Sequence, residues 1–178
     1  MDAALATLVV GIAGVGGTVT SGYLAQRAGH RALRWEGERQ HHDNLRNCYI
    51  GVNSRARTCR YALADYVQAM ANRSLTDEIR ERAATAMDAH RVQYDEAQML
   101  VSDSVLAEAR TVNDKISVLY GLLRRIDCGV PQPDDTIELA KRLLKDLWPH
   151  LRSMREAMRV DLGVSGSRGG REHGNERG

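Results

Sequence analysis

From Leu45 to Met70 the apolar residues Leu45, Cys48, Val52, Ala56, Cys59, Leu63, Tyr66 and Met70 fall three and four residues apart. A strand, with its period of two, cannot bury such a set on one face, so the stretch is predicted to be an amphipathic helix. The pattern returns three times. Ile79, Ala83, Ala86, His90, Tyr94 and Ala97 form a second stripe, and Val105, Ala109, Val112, Ile116, Leu119, Leu123 and Ile126 a third. Ile137, Ala140, Leu144, Leu147, Leu151, Met154 and Met158 make the fourth. Four helices joined by short breaks can bury their stripes against one another as an antiparallel bundle. Phe is absent, aromatic residues are 4% and there are three prolines, so aliphatic residues and alanine must fill the core. That balance favours an all-α fold over a sheet.

The breaks have their own chemistry. Ser74 followed three residues later by Asp77 resembles a capping box and predicts the start of the second helix. Ser102, Asp103 and Ser104 mark a short interruption with a fresh cap, and Gly129, Val130, Pro131, Gln132 and Pro133 a definite stop. Asp134, Asp135 and Thr136 offer acidic and capping residues to the fourth helix, which Pro149 is expected to kink. The closing GVSGSRGGREHGNERG has no apolar period and six glycines, so residues 163–178 are expected to be a disordered tail.

No charged residue stands between Asp2 and Arg27. As a helix, residues 4–24 would cover about 31 Å, close to the ~30 Å hydrocarbon core of a bilayer. Residues 1–26 are therefore read as a transmembrane anchor whose helix continues, without a strong breaker, to about Ala71. Ala13, Gly17, Ser21 and Ala25 recur every four residues and give this anchor a ridge of small side chains suited to close helix packing, including self-association. Asp2 at the amino end and the lack of an A-x-A site fit an uncleaved anchor better than a signal peptide. Arg27, Arg31 and Arg34 follow on the carboxyl side, which by the positive-inside rule puts the rest of the chain, the bundle of residues 27–162 with its basic juxtamembrane helix, in the cytoplasm. The expected location is the cell membrane, with a single pass.

GIAGVGGT within the anchor nearly spells a phosphate-binding loop, with Gly17 in the place of the lysine. A nucleotide site also needs an acid for magnesium at the end of a second strand, and no such strand is readable. A degenerate nucleotide-binding protein is the least favoured reading.

The net charge of +2 is too small to mark the whole chain as a nucleic-acid binder. Its distribution is uneven: between residues 25 and 60 eight arginines face Glu36, Glu38 and Asp43. Arg27, Arg31, Arg34 and Arg39, beside the anchor, suit contact with anionic lipid headgroups. Arg46, Arg55, Arg57 and Arg60 suit either a solvated face or contact with phosphates, but no interleaved aromatic residue favours base stacking there.

Little points to catalysis. His41, His42 and Asp43 lack the spacing of metal ligands, and His90 on an apolar stripe reads as a hydrogen-bonded core histidine. Asp95 with Glu96 and Asp134 with Asp135 read as solvated faces or helix starts. Cys48, Cys59 and Cys128 form no C-x-x-C motif and read as buried free thiols. No serine sits in a G-x-S-x-G elbow, and no cofactor is expected. The residues thus describe a non-enzymatic protein whose helical domain binds a protein partner or itself, with a membrane-tethered nucleic-acid-binding protein as the alternative.

A glycine-rich anchor ending in YLAQR, a basic helix leading to RNCYIGVNSRAR, the segment QMLVSDSVLAEAR and a closing MREAMRVDLG together resemble small single-pass actinobacterial membrane proteins of the KilB-like, plasmid-spread group. The resemblance covers most of the chain and implies membrane association with a part in plasmid transfer. It implies no catalytic residues.

Overall fold

The computed structural model describes the backbone of residues 2–164 and the side chains of residues 35–164. The described backbone holds four helices and no strand: α1 (Asp2–Ala71), α2 (Asp77–Ala97), α3 (Asp103–Asp127) and α4 (Ile137–Asp161). The chain divides into one unit up to Asn44, containing only the first part of α1, and a second beginning at Leu45. The expected tail lies almost wholly outside the described residues.

The second unit is the antiparallel bundle that the four stripes predict. Neighbouring helices run in opposite directions, as the pairs across them show. Cys59 Sγ lies 4.0 Å from Met87 Sδ between α1 and α2, Arg80 meets Asp127 between α2 and α3, and Lys115 meets Asp146 between α3 and α4. Tyr49 near the start of the α1 bundle segment donates to Asp161 at the end of α4, closing the ring of helices.

Every stripe faces inward, and each buried face is wider than its stripe. Tyr49, Ala62, Val67, Met87 and Leu122 join the core beside the expected residues. A helix in a four-helix bundle touches two or three neighbours, so positions flanking the central line are also covered. At the margins Leu45, Met70, Ile79, Ile126, Ile137 and Leu144 are only partly buried.

Helix ends differ from expectation in two places. The cap of α2 is Thr76, whose Oγ1 accepts from the Ile79 N–H at 3.4 Å. Ser74 belongs instead to the end of α1, where its N–H bonds the Ala69 carbonyl while the N–H of Arg73 bonds that of Met70. This pair of bonds is a Schellman ending, and it puts Arg73 in the left-handed region at φ 56°. Glycines at φ 74° and 70°, Gly129 and Gly163, serve the same purpose after α3 and α4. Ser102 caps α3 by backbone conformation, without a side-chain bond to the helix. Thr136 caps α4 as expected, accepting from the Leu139 N–H at 3.1 Å. Pro149 lies within α4, which runs on to Asp161.

Candidate functional site

The antiparallel pairing of α1 and α4 builds a basic groove on the surface of the bundle. Ala56 and Cys59 on α1 and Leu147, Leu151 and Met154 on α4 are buried. Residues beside them on each helix therefore emerge at the crease. From α1 these are Asn53, Arg57 and Arg60; from α4 they are Arg142, Lys145, Trp148, Pro149, Arg152 and Arg155.

Arg60 sits at the centre. Its guanidinium carbon lies 5.0 Å from the centroid of the Trp148 ring and 5.3 Å from that of Tyr61, so one cation lies against two aromatic rings. Both rings stay accessible, Trp148 at 44% and Tyr61 at 51%. Arg57 donates to the Tyr61 hydroxyl at 3.4 Å, and that hydrogen bond, with the charge behind it, draws the Tyr61 hydroxyl below its ordinary pKa. The buried Nε–H of Arg60 has no acceptor among the described residues.

The groove carries a concentrated positive charge. Among the described residues Arg57, Arg60, Arg142, Lys145, Arg152 and Arg155 enter no ion pair. The acid on the rim, Asp146, is held by Lys115 at 2.5 Å, with His150 at 3.9 Å. Lys115 accordingly keeps the Asp146 carboxyl below the usual carboxylate range. The crease between α1 and α2 is different: Arg55 and Arg82 face Glu78 and Glu81 there, and Arg82 already pairs with Glu78.

Other polar clusters fasten the bundle together. Arg80 donates to both oxygens of Asp127, at 2.9 and 3.0 Å, and the Tyr66 hydroxyl donates to the same carboxylate at 2.7 Å. The Arg80 bonds hold the Asp127 carboxyl below its ordinary range, and burial with that carboxylate beside it pushes the Tyr66 hydroxyl up. Arg125 grips Asp135 at 2.6 and 2.8 Å, and the Gln132 N–H donates to Asp135 at 2.9 Å. Asp135, held at about 2 chiefly by Arg125, is thus part of a loop clamp, where the sequence suggested a solvated face or a helix start. Burial pushes the Cys59 thiol up to about 12, keeping it protonated. Cys48 is buried as expected, but Cys128 is exposed beyond the end of α3.

Among the residues expected to meet the membrane, Ala13, Gly17, Ser21, Ala25, Arg27, Arg31 and Arg34 lie outside the described side chains. Arg39 is exposed on α1, as are His41 and His42. No group of His, Cys, Asp and Glu that could hold a metal ion occurs among the described residues. Among the residues whose side chains are described, no helix is long and apolar enough to cross a membrane, and the expected anchor, residues 1–26, precedes them.

In the sequence Arg57 and Arg60 stand out as cations, but their companions on α4 do not. One signal was available: Arg142, Lys145, Pro149 and Arg152 are spaced by three or four residues next to the apolar stripe. Beside Tyr61, its neighbour in sequence, Arg60 meets a second ring from α4, that of Trp148. No protein-family model, curated protein or solved structure matches the chain.

Proposed function

We propose that this is a non-enzymatic, single-pass membrane protein, with residues 4–24 as its anchor and the bundle as a cytoplasmic module that binds a macromolecular partner through the α1–α4 groove. The observation that carries the binding role is the groove itself, six cations without ion-pair partners among the described residues around an accessible tryptophan. Trp, Tyr and Arg are the residues most enriched where binding energy concentrates. The uncharged run before Arg27 and the arginines after it support the anchor and its orientation. The resemblance to KilB-like proteins supports a setting in plasmid transfer or spread. An all-helical bundle provides no sheet for the nucleotide-binding alternative.

Carbonate extraction of membranes from cells expressing the full chain, combined with protease accessibility, tests the anchor. The protein should stay in the pellet, with the bundle cut only after the cytoplasmic face is opened. Release into the supernatant as a monodisperse protein without detergent would contradict it.

A further inference from the structure

We propose that the α1–α4 groove binds single-stranded nucleic acid, with phosphates on its cations and a base stacked against Trp148. This rests on the reading of the bundle as an interaction module and names its partner. Arg142, Lys145, Arg152 and Arg155 run along α4 over about 20 Å at 1.5 Å per residue, with Arg57 and Arg60 facing them from α1. A row of cations of that length, whose lining carboxylate Asp146 is already held by Lys115, matches a ligand that repeats negative charge along a chain.

The aromatic groups narrow the choice. An acidic amphipathic helix docks by pushing apolar side chains into a row of pockets at helical spacing. Here Leu147 and Leu151 beneath the groove are 0% and 4% exposed, so the apolar surface on offer is mainly planar rings and arginine stems. Rings of this kind, with an arginine beside them, form a stacking platform for unpaired bases. A duplex keeps its bases stacked on one another and would leave the indole unused. A flat anionic bilayer is a poorer fit to a concave crease than a flexible strand that can lie along it.

The test uses the full-length protein in neutral detergent micelles and a fluorescein-labelled twenty-residue oligothymidylate, read by anisotropy. Binding should weaken about a hundredfold or more between 50 and 200 mM salt, as neutralising about six phosphates of a single strand requires. Trp148→Ala should weaken binding by about 5- to 150-fold, the span expected for one lost base stack, and Trp148→Phe by less. Arg152→Ala with Arg155→Ala should lower the slope of log affinity against log salt by about 1.4. All these positions are exposed, and unchanged helical circular dichroism would show the fold intact.

No binding at 50 mM salt would overturn the proposal. So would displacement of the oligonucleotide by polyglutamate or by phosphatidylglycerol vesicles as readily as by unlabelled oligothymidylate, or unchanged affinity in Trp148→Ala. A chain that resists carbonate extraction yet fails this assay would remove the nucleic-acid partner and leave the membrane-anchored interaction module standing.

Discussion

Arg60 holds its guanidinium 5.0 Å from the centre of the Trp148 ring, so a cation on α1 rests against an aromatic ring on α4 at the surface of the bundle. The contact ties together two helices that are the first and last of the bundle in sequence. A partly exposed cation–π pair contributes about 0.5–1 kcal/mol. Trp148→Ala should therefore lower the unfolding free energy by about 1 kcal/mol, measured by urea denaturation. Arg60→Ala should cost a similar amount, and the double variant should cost less than the sum of the two.

Asp127 joins three helices, because Tyr66 on α1 and Arg80 on α2 both bond its carboxylate at the end of α3. Its side chain is 10% exposed and that of Arg80 35%, so solvent weakens the pair only in part. Removing the acid leaves the Tyr66 phenol without its acceptor and Arg80 with only the exposed Asp77, and Asp127→Ala should cost roughly 2 kcal/mol. The folded carboxyl titrates below its ordinary range. Its contribution is thus complete above the unfolded value of about 4 and is lost as pH falls through the folded value. In acid denaturation Asp127→Asn should remove that part of the loss.

His90 is 1% exposed and neither ring nitrogen has a partner among the described residues. Burial lowers its pKa to about 4, with Arg91 adding to the shift. Because the unfolded chain takes up the proton first, stability should be complete above about pH 6.5 and decline as pH falls toward 4, by roughly 3 kcal/mol. His90→Leu should flatten that decline. It should also raise the urea midpoint at neutral pH, since it removes two unsatisfied buried nitrogens. A midpoint that falls at both pH values would show that the imidazole is needed for packing.

Arg73 adopts φ 56° where the ends of α3 and α4 use glycine. A side chain in the left-handed region costs about 1 kcal/mol or more. Arg73→Gly should raise the unfolding free energy by up to about 1 kcal/mol, partly offset by the freedom glycine gains when unfolded. Differential scanning calorimetry would register the gain as a higher Tm.

These residues also show where sequence was informative. The positions from Leu45 to Met158 repeat at helical spacing, and packing followed that period because alternative faces would bury charge. Caps were less legible: Ser74 and Thr76 offer similar hydroxyls, and the choice fell to Thr76 because the Ser74 N–H closes the end of α1. Asp135 looked like a helix-start acid until the loop brought it to Arg125. The groove was half visible. Arg57 and Arg60 stood out as cations, but only pairing of the first and last helices of the bundle places Trp148 against them, and no local pattern encodes that pairing.

The intrinsic fluorescence of Trp148 gives the most direct test of the groove as a binding site. Trp35 and Trp148 are the two tryptophans of the chain, so Trp35→Phe isolates the signal. Titration of the full-length Trp35→Phe protein with oligothymidylate at 50 mM salt should quench the Trp148 emission to saturation, and added salt should restore it. Emission that stays constant while the oligonucleotide is added, at concentrations that saturate the anisotropy change or throughout, would contradict the assignment of this groove as the site.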